Sequence, residues 1–169
     1  MKPQIFNLKQ CDPKKCSGKR IIKFEIVNEV NKKGIRNSIL LSPFSNKSIS
    51  QSDRNYYLNN NITVVDGSWN QIDEIKHHFE NGLPRALPFL VAANPTNFGK
   101  PTKLNSAEAL SAALWILDET KLAKVILSKF KWGEAFIEIN MERLEGYKLC
   151  SDSDEVIKLQ NKFLDELYG

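Results

Sequence analysis

The first half of the chain alternates short apolar runs with polar segments rich in Gly, Pro, Asn and Lys, a pattern typical of strands joined by loops. Strands are predicted over 4–8, 21–27, 35–41 and 62–65. Ile72, Ile75 and Phe79 recur at helical spacing and predict a helix over 69–81. The continuous apolar run 88–93 lacks the alternation of a half-exposed strand and predicts one more buried strand.

The second half changes to helical periodicity after the Gly- and Pro-containing run NPTNFGKPTK. Asn105 and Glu108 have the spacing of a capping pair and predict a helix start at Ser106. Helices are predicted over 106–118, 122–130, 133–149 and 153–167. We therefore predict an α/β fold with an N-terminal α/β sheet domain, residues 1–86, and a C-terminal, mainly helical domain, residues 87–169.

Composition argues against a membrane protein and favours the cytoplasm. The longest apolar run, 110–117, is about half as long as a bilayer span requires, and the N-terminus has no targeting pattern. Three cysteines are an odd number and too few for a disulfide scaffold, which favours a reducing compartment. We expect a soluble, unprocessed, cytoplasmic protein.

Positive charge is concentrated in the first third of the chain. Residues 1–60 hold 12 Lys or Arg and 4 Asp or Glu, whereas residues 61–169 hold 12 and 16. Such an asymmetry suits binding of a polyanion such as nucleic acid on one face. A solvated basic surface explains the charge distribution equally well.

The common cofactor motifs are missing from the sequence, which has no Gly-x-Gly-x-x-Gly turn, phosphate loop or nucleophile elbow. Cys11 and Cys16 have no second Cys or His pair nearby, so we predict no metal site. His77 and His78 would point about 100° apart on a helix and receive no role.

Four segments carry candidate chemistry. The loop CDPKKCSGK, 11–19, offers a hydroxyl, backbone N–H groups and cations that could hold a carboxylate or phosphate, although a connecting loop also explains it. LLSPFS ends a strand, where Pro43 removes a hydrogen-bond donor. VVDGSW places Asp66 at the carboxyl end of a buried strand, where open α/β sheets bind ligands. A turn or capping Asp is a slightly better explanation on location alone.

The fourth segment runs from Arg85 to Leu110 and joins a predicted strand to a predicted helix through a long loop. Asn94, Pro95 and Gly99 lie so close together in it that they indicate a fixed, non-regular backbone. Turn chemistry explains each of these residues singly but explains the whole run less well.

In this order and spacing, the four segments resemble the small-subunit rRNA aminocarboxypropyltransferase family of archaea and eukaryotes. The resemblance spans nearly the whole chain and is carried by DPKKCSGKR, LSPFS, SDR, VVDGSW, LPFLVAANPTNFGKPTKLNSAEALSAAL and FKWGEAFIEIN. It implies a fold related to the SPOUT class of RNA methyltransferases, with a deep trefoil knot whose cofactor loop is formed by residues 85–109.

The resemblance also implies an activity. S-adenosylmethionine would donate its 3-amino-3-carboxypropyl group to N3 of N1-methylpseudouridine during ribosome biogenesis, with methylthioadenosine as the other product. The partner would be small-subunit rRNA or the pre-ribosomal small subunit, and the enzyme would act as a monomer without metal. Two alternatives stay open, a SPOUT-type RNA methyltransferase and a non-catalytic ribosome-assembly factor, because one scaffold supports different functions.

The cofactor contacts that the resemblance implies divide the ligand into three parts. Leu87 N–H and the Thr102 carbonyl would bind adenine, and the Val65 carbonyl would bind the ribose. Ser17 and Ser106 would hold the carboxylate. Residues in apolar contact with adenine would be Leu41, Pro43, Leu87, Leu104 and Ala109.

The implied mechanism depends on which carbon of the sulfonium lies in line with the nucleophile. Trp69, together with Ile72, would cover the methyl group and leave the propyl carbon exposed. Asp66 is the candidate to orient or deprotonate the uracil N3–H, or it supports only the cofactor or the loop. Three positions depart from the usual family pattern, which has Cys at Gly67, commonly Thr at Ser17 and a small residue at Ile72.

Basic residues in or beside these segments are predicted to surround the cofactor cleft and contact RNA phosphates. They are Lys14, Lys15, Lys19, Arg20, Arg54, Arg85 and Lys103.

Overall fold

The computed structural model describes residues 1–8, 16–66 and 82–169. The helix predicted over 69–81 lies outside the described residues.

The described chain builds one parallel sheet with the strand order β2-β1-β4-β3-β5. Its five strands are β1 Gln4–Asn7, β2 Asn28–Val30, β3 Ile39–Leu41, β4 Ile62–Asp66 and β5 Leu83–Arg85. Asn7 lies opposite Asp66, and Leu41 lies opposite both Val64 and Arg85. Because all the strands are parallel, their carboxyl ends meet at one edge of the sheet.

Six helices accompany the sheet in the described ranges. They are α1 Ser17–Lys23, α2 Arg54–Asn60, α3 Ser106–Ile116, α4 Thr120–Leu127, α5 Gly133–Leu149 and α6 Ser153–Tyr168. A single 3₁₀ turn, Gln51–Asp53, leads into α2. The four helices predicted in the second half are confirmed within a few residues at each end, and α2 was not predicted.

Helix α3 is the centre of the molecule. Of its residues only Ala109 is not buried, because the helix is apolar on all sides and packs between the sheet and the other helices. One hydrophobic cluster joins strand residues such as Ile5 to helix residues such as Trp115 and Val156. The two predicted regions therefore share a core, and their boundary at residue 86 stays a prediction.

The prediction of a strand over 21–27 is wrong. Ser17, Gly18 and Ile21 are buried at helical spacing and form the inner face of α1, which continues to Lys23. Glu25, with a φ of 60°, then turns the chain out of the helix before β2 begins. The apolar residues of 21–27 are typical of a strand, but burial of one face of α1 holds the beginning of this segment in a helix.

The prediction of a strand over 88–93 is also wrong, although the segment is buried as expected. Phe89, Leu90, Ala92 and Ala93 are 0–3% exposed. The backbone is not part of the sheet, and within the described residues it makes only an isolated bridge between Val91 and Pro101.

Side chains replace strand partners along this buried segment. The Phe89 N–H donates to Gln160 Oε1 (2.9 Å), and the Phe89 carbonyl accepts from Tyr147 Oη (2.9 Å). The Asn140 amide accepts from the Val91 N–H and donates to the Val91 carbonyl, both at 2.8 Å. Buried backbone groups must be paired, and here the helical half of the chain supplies the partners.

The described elements establish a mixed α/β fold with a parallel sheet. These elements give no evidence of the predicted trefoil knot or of a SPOUT-like topology. Within the same residues, no helix combines the length and the apolar character that crossing a bilayer requires.

Candidate functional site

Asp66 lies at the carboxyl end of β4, where the first turns of α1 and α3 converge. Its carboxyl group is buried, and Ser106 Oγ donates a hydrogen bond of 2.6 Å to Oδ1. Cys16 Sγ lies 2.8 Å from Oδ2. Asp66 therefore joins the sheet to both helix starts.

The backbone of Gly18 lies so close to the Asp66 carboxyl group that a side chain at position 18 would clash with it. A Cβ atom built at this position would lie 2.5 Å from Asp66 Oδ2, far inside van der Waals contact. Any side chain there would push α1 away from the end of β4.

Burial raises the pKa of the Asp66 carboxyl above its ordinary value, since the charged form loses hydration. The hydrogen bond from Ser106 and the positive charge of Lys19 oppose this shift without cancelling it. The protein therefore favours the protonated form of the Asp66 carboxyl more than water does.

The two serines predicted to bind a carboxylate are neighbours in the structure. Ser17 Oγ accepts a hydrogen bond of 3.2 Å from the Ala107 N–H. The backbone N–H groups of Ser17 and Ser106 have no partner among the described residues. Unpaired N–H groups at helix starts are favourable sites for an anion.

Pro43 leaves a carbonyl open at the same edge of the sheet. The Ile39 N–H donates to the Asn61 carbonyl (3.0 Å), and a parallel ladder repeats this bond every two residues. By that register the Val65 carbonyl would accept from the N–H of residue 43, and proline has none. The ladder therefore provides no donor for the Val65 oxygen.

Two further backbone groups are open beside this edge. Neither the Leu87 N–H nor the Thr102 carbonyl has a partner in the described part of the chain. Their neighbours are fixed, since the Ala86 N–H donates to the Lys47 carbonyl (2.8 Å) and the Thr102 N–H donates to the Leu90 carbonyl (2.9 Å). Thr102 has a φ of 59°, an uncommon value for a residue with a side chain.

The predicted adenine contacts belong to one apolar environment, with one exception. Leu41 and Leu104 are part of the main hydrophobic cluster, and Leu87 and Ala109 are half-buried against it. Pro43 is exposed. Half-buried apolar side chains beside open backbone groups are typical of the lining of a ligand site.

Glu108 is a residue of the site that the sequence reasoning treated only as part of a helix cap. It is fully buried, and its carboxylate accepts hydrogen bonds from the Ala93 N–H (2.7 Å), the Asn94 N–H (3.1 Å) and Asn94 Nδ2 (2.6 Å). It also accepts from the Asn105 N–H (3.0 Å). Glu108 thus fixes the end of the buried segment 88–93 to the start of α3. The capping spacing was visible in the sequence, but the contacts to residues 93 and 94 were not.

The basic residues predicted to bind RNA have different surroundings. Arg85 is largely buried and pairs with Asp53 at 3.0 Å, and Arg54 pairs with Glu119 at 3.6 Å and bonds the Leu117 carbonyl. These two guanidinium groups have structural partners.

The other described basic residues are more accessible. Lys19 is half-buried, and Arg20 and Lys103 are exposed. Arg20 Nε donates to the Lys129 carbonyl (2.8 Å), and its guanidinium lies 5.7 Å from the centre of the Phe24 ring. Four predicted site residues, Lys14, Lys15, Trp69 and Ile72, lie outside the described residues.

A groove of about 280 Å³ lies elsewhere, between α5 and α6. It is lined by Glu138, Glu142, Glu166 and Arg143 together with apolar side chains. None of the predicted cofactor residues lines it, and its acidic character does not suit RNA. The open backbone groups at the carboxyl end of the sheet are a better candidate for the cofactor site than this groove, because polar groups and apolar side chains occur together there.

The setting of Asp66 has a consequence for stability. The folded chain holds this proton more tightly than the unfolded chain, so ionisation of Asp66 costs stability as the pH rises from about 4 through the folded pKa. In Asp66→Asn the side chain at this position is uncharged at every pH. We expect the melting temperature of the variant minus that of the wild type to increase over this pH range and then level off. Melting curves by circular dichroism test this, and a difference that decreases with pH would contradict it.

Two family comparisons match the chain. The family described as "Ribosome biogenesis protein, C-terminal" matches residues 39–164. The family described as "Possible Fer4-like domain in RNase L inhibitor, RLI" matches residues 4–35. The whole chain contains three cysteines, fewer than the four that hold an ordinary iron–sulfur cluster. The second match is therefore no evidence for such a cluster.

Individual relatives match over nearly the full chain. A Methanococcoides burtonii protein named 16S rRNA aminocarboxypropyltransferase is 47% identical, covering 95% of this chain and 93% of the relative. The 18S rRNA aminocarboxypropyltransferase of Schizosaccharomyces pombe is 34% identical, covering 96% of this chain and 57% of the relative.

A solved structure is similar as well. It is described as the SAM-dependent rRNA:acp-transferase Tsr3 from Vulcanisaeta distributa and has a TM-score of 0.87 and 32% identity, covering 98% of this chain and 90% of that one. The chain therefore belongs to the rRNA aminocarboxypropyltransferase family.

Proposed function

We propose that this chain transfers the 3-amino-3-carboxypropyl group of S-adenosylmethionine to N3 of N1-methylpseudouridine in small-subunit rRNA during ribosome biogenesis. The observation that carries the proposal is the set of open backbone groups at one edge of the sheet, in a chain of this family. Each open group matches a part of the ligand that needs a partner of that type.

The open groups can be assigned to the ligand in order. The Leu87 N–H and the Thr102 carbonyl offer one donor and one acceptor, as an adenine edge requires, beside the half-buried side chains of Leu87 and Ala109. The Val65 carbonyl offers an acceptor to a ribose hydroxyl. The N–H groups of Ser17 and Ser106 suit a carboxylate.

Bound S-adenosylmethionine supplies an electrophilic carbon on its sulfonium, and this chain's residues decide which carbon reacts. Fixing the carboxylate at Ser17 and Ser106 holds one end of the transferred group, so positioning accounts for much of the catalysis. Trp69 and Ile72 are proposed to cover the methyl group, and this assignment rests on the family resemblance alone.

We propose that Asp66 is a positioning residue and not the general base. Its carboxyl group is 7% exposed and has Ser106 and Cys16 against its two oxygens. A base must reach the N3 proton of a nucleoside that arrives from solvent. We propose that this proton passes to solvent water as the N3–C bond forms and the C–S bond to methylthioadenosine breaks. Asp66 faces the helix starts and bonds Ser106 Oγ, so it orients one of the two serines that are proposed to hold the cofactor.

The RNA contacts are proposed for the accessible cations. Lys19, Arg20 and Lys103 lie on the described surface near the site, whereas Arg54 and Arg85 are paired internally. Lys14 and Lys15 are proposed from the resemblance. We further propose that the enzyme acts in the cytoplasm as a monomer on small-subunit rRNA or the pre-ribosomal small subunit.

Labelled cofactor tests the reaction directly. Small-subunit rRNA carrying N1-methylpseudouridine is incubated with the protein and S-adenosylmethionine labelled separately in its methyl and carboxypropyl carbons. We expect mass spectrometry of RNA fragments to find only the carboxypropyl label, because anchoring of the carboxylate presents that carbon. Methyl label would instead establish a methyltransferase, and no label with intact RNA binding would favour an assembly factor.

Asp66→Asn distinguishes positioning from base catalysis. Positioning predicts weaker S-adenosylmethionine binding, by roughly tenfold for the loss of one strong hydrogen bond, measured by calorimetry. Transfer at saturating cofactor should then fall little. An unchanged cofactor affinity with a rate loss of about a hundredfold or more would show that Asp66 is the base. Asp165→Asn, the same change at an exposed aspartate near the end of α6, is the matched control and should leave both cofactor affinity and transfer unchanged.

A further inference from the structure

Phe98 is exposed on a loop that the cofactor assignments do not use. Its side chain is 63% exposed, at the tip of the turn between Asn94 and Lys100. An aromatic ring in this position loses the free energy of burial that most phenylalanines gain. Single exposed apolar residues are common, so the surroundings of Phe98 decide whether its exposure has a function.

The loop that carries Phe98 is tightly hydrogen-bonded on both sides of the ring. The Asn97 N–H donates to Asn94 Oδ1 (3.0 Å), and the Gly99 N–H donates to the Ala92 carbonyl (2.8 Å). Gly99 has a φ of 79°, which a glycine adopts without strain. Because Asn94 is itself bound by Glu108, the backbone presents Phe98 from the fixed part of the site.

The charge around this loop is positive. Lys100 and Lys103 are exposed, and residues 94–107 contain no Asp or Glu. Neither lysine takes part in an ion pair between described residues. An exposed ring followed closely by unpaired cations is a combination with which proteins bind single-stranded nucleic acid, the ring stacking on a base and the cations contacting phosphates.

The loop also reaches the site. Thr102, whose open carbonyl is assigned to adenine, follows Phe98 by four residues, and Lys103 lies next to it. Four residues span at most about 14 Å, so a base stacked on Phe98 would lie close to the proposed cofactor site.

We propose that Phe98 is a stacking platform for an unpaired base of the rRNA substrate, close to the target uridine, with Lys100 and Lys103 binding the adjoining phosphates. The proposal rests on the proposed function for the identity of the RNA. RNA is favoured over a protein partner because the only charged residues within 94–107 are two lysines.

Binding of two RNA probes tests the platform. Fluorescence anisotropy is measured with a fluorescein-labelled single-stranded oligoribonucleotide of mixed sequence and with an abasic polymer of equal length and charge. We expect Phe98→Ala to weaken binding of the base-containing RNA by roughly five- to hundredfold and to leave the abasic polymer unaffected. Phe98→Trp should retain wild-type affinity, because an indole also stacks.

Tyr168→Ala is the matched control. Tyr168 is an aromatic residue of similar exposure, 68%, but the nearest charged residues that precede it are the acids Asp165 and Glu166. Its removal should leave the affinity for both probes unchanged. Unchanged RNA affinity in Phe98→Ala would overturn the proposal and point to a protein contact. Equal weakening on both probes, or in Tyr168→Ala, would overturn it as well. S-adenosylmethionine affinity should be normal in every variant.

The two proposals fail in different experiments. If the wild type transfers no carboxypropyl label to rRNA, the proposed function fails, whatever the anisotropy shows. If label is transferred but Phe98→Ala binds RNA like the wild type, only the stacking platform fails.

Discussion

The site depends on one buried carboxylate. Glu108 accepts four hydrogen bonds from residues 93, 94 and 105, and so it holds a non-regular, largely buried segment against the start of α3. Without such an acceptor, the N–H groups of Ala93 and Asn94 would be buried and unpaired, which costs about 1–3 kcal/mol for each group. The same carboxylate fixes the loop of Phe98 through Asn94, so one side chain holds both this loop and the backbone beside Ser106 that we propose binds the cofactor.

A second constraint is a set of backbone groups without hydrogen-bond partners, which we propose recognise the cofactor. Pro43 has no N–H to donate to the Val65 carbonyl. The N–H groups of Ser17 and Ser106, the first residues of α1 and α3, have no partner among the described residues. Buried backbone groups normally have hydrogen-bond partners. Here the unsatisfied groups lie together at the carboxyl edge of the parallel strands, which is where such sheets bind ligands.

The sequence predicted the helical half well, because capping pairs and helical periodicity are local signals. It failed where tertiary contacts decide the conformation. Residues 88–93 have the apolar composition of a strand, but Asn140, Tyr147 and Gln160 satisfy their backbone from helices far along the chain. The resemblance to a known family supplied the cofactor residues, and the open groups at Leu87 and Thr102 fit those assignments. No local pattern revealed that Glu108 is buried.

The most direct test of this account is calorimetric titration of S-adenosylmethionine into Glu108→Gln. Glu155→Gln is the matched control, since Glu155 has the corresponding capping position in α6 but is exposed. A glutamine keeps the shape but turns a donor towards the N–H groups that need an acceptor. We predict that Glu108→Gln lowers cofactor affinity at least about tenfold, the effect of one lost charge-assisted bond, whereas Glu155→Gln binds normally. A folded Glu108→Gln variant with wild-type affinity would contradict the central role of this carboxylate.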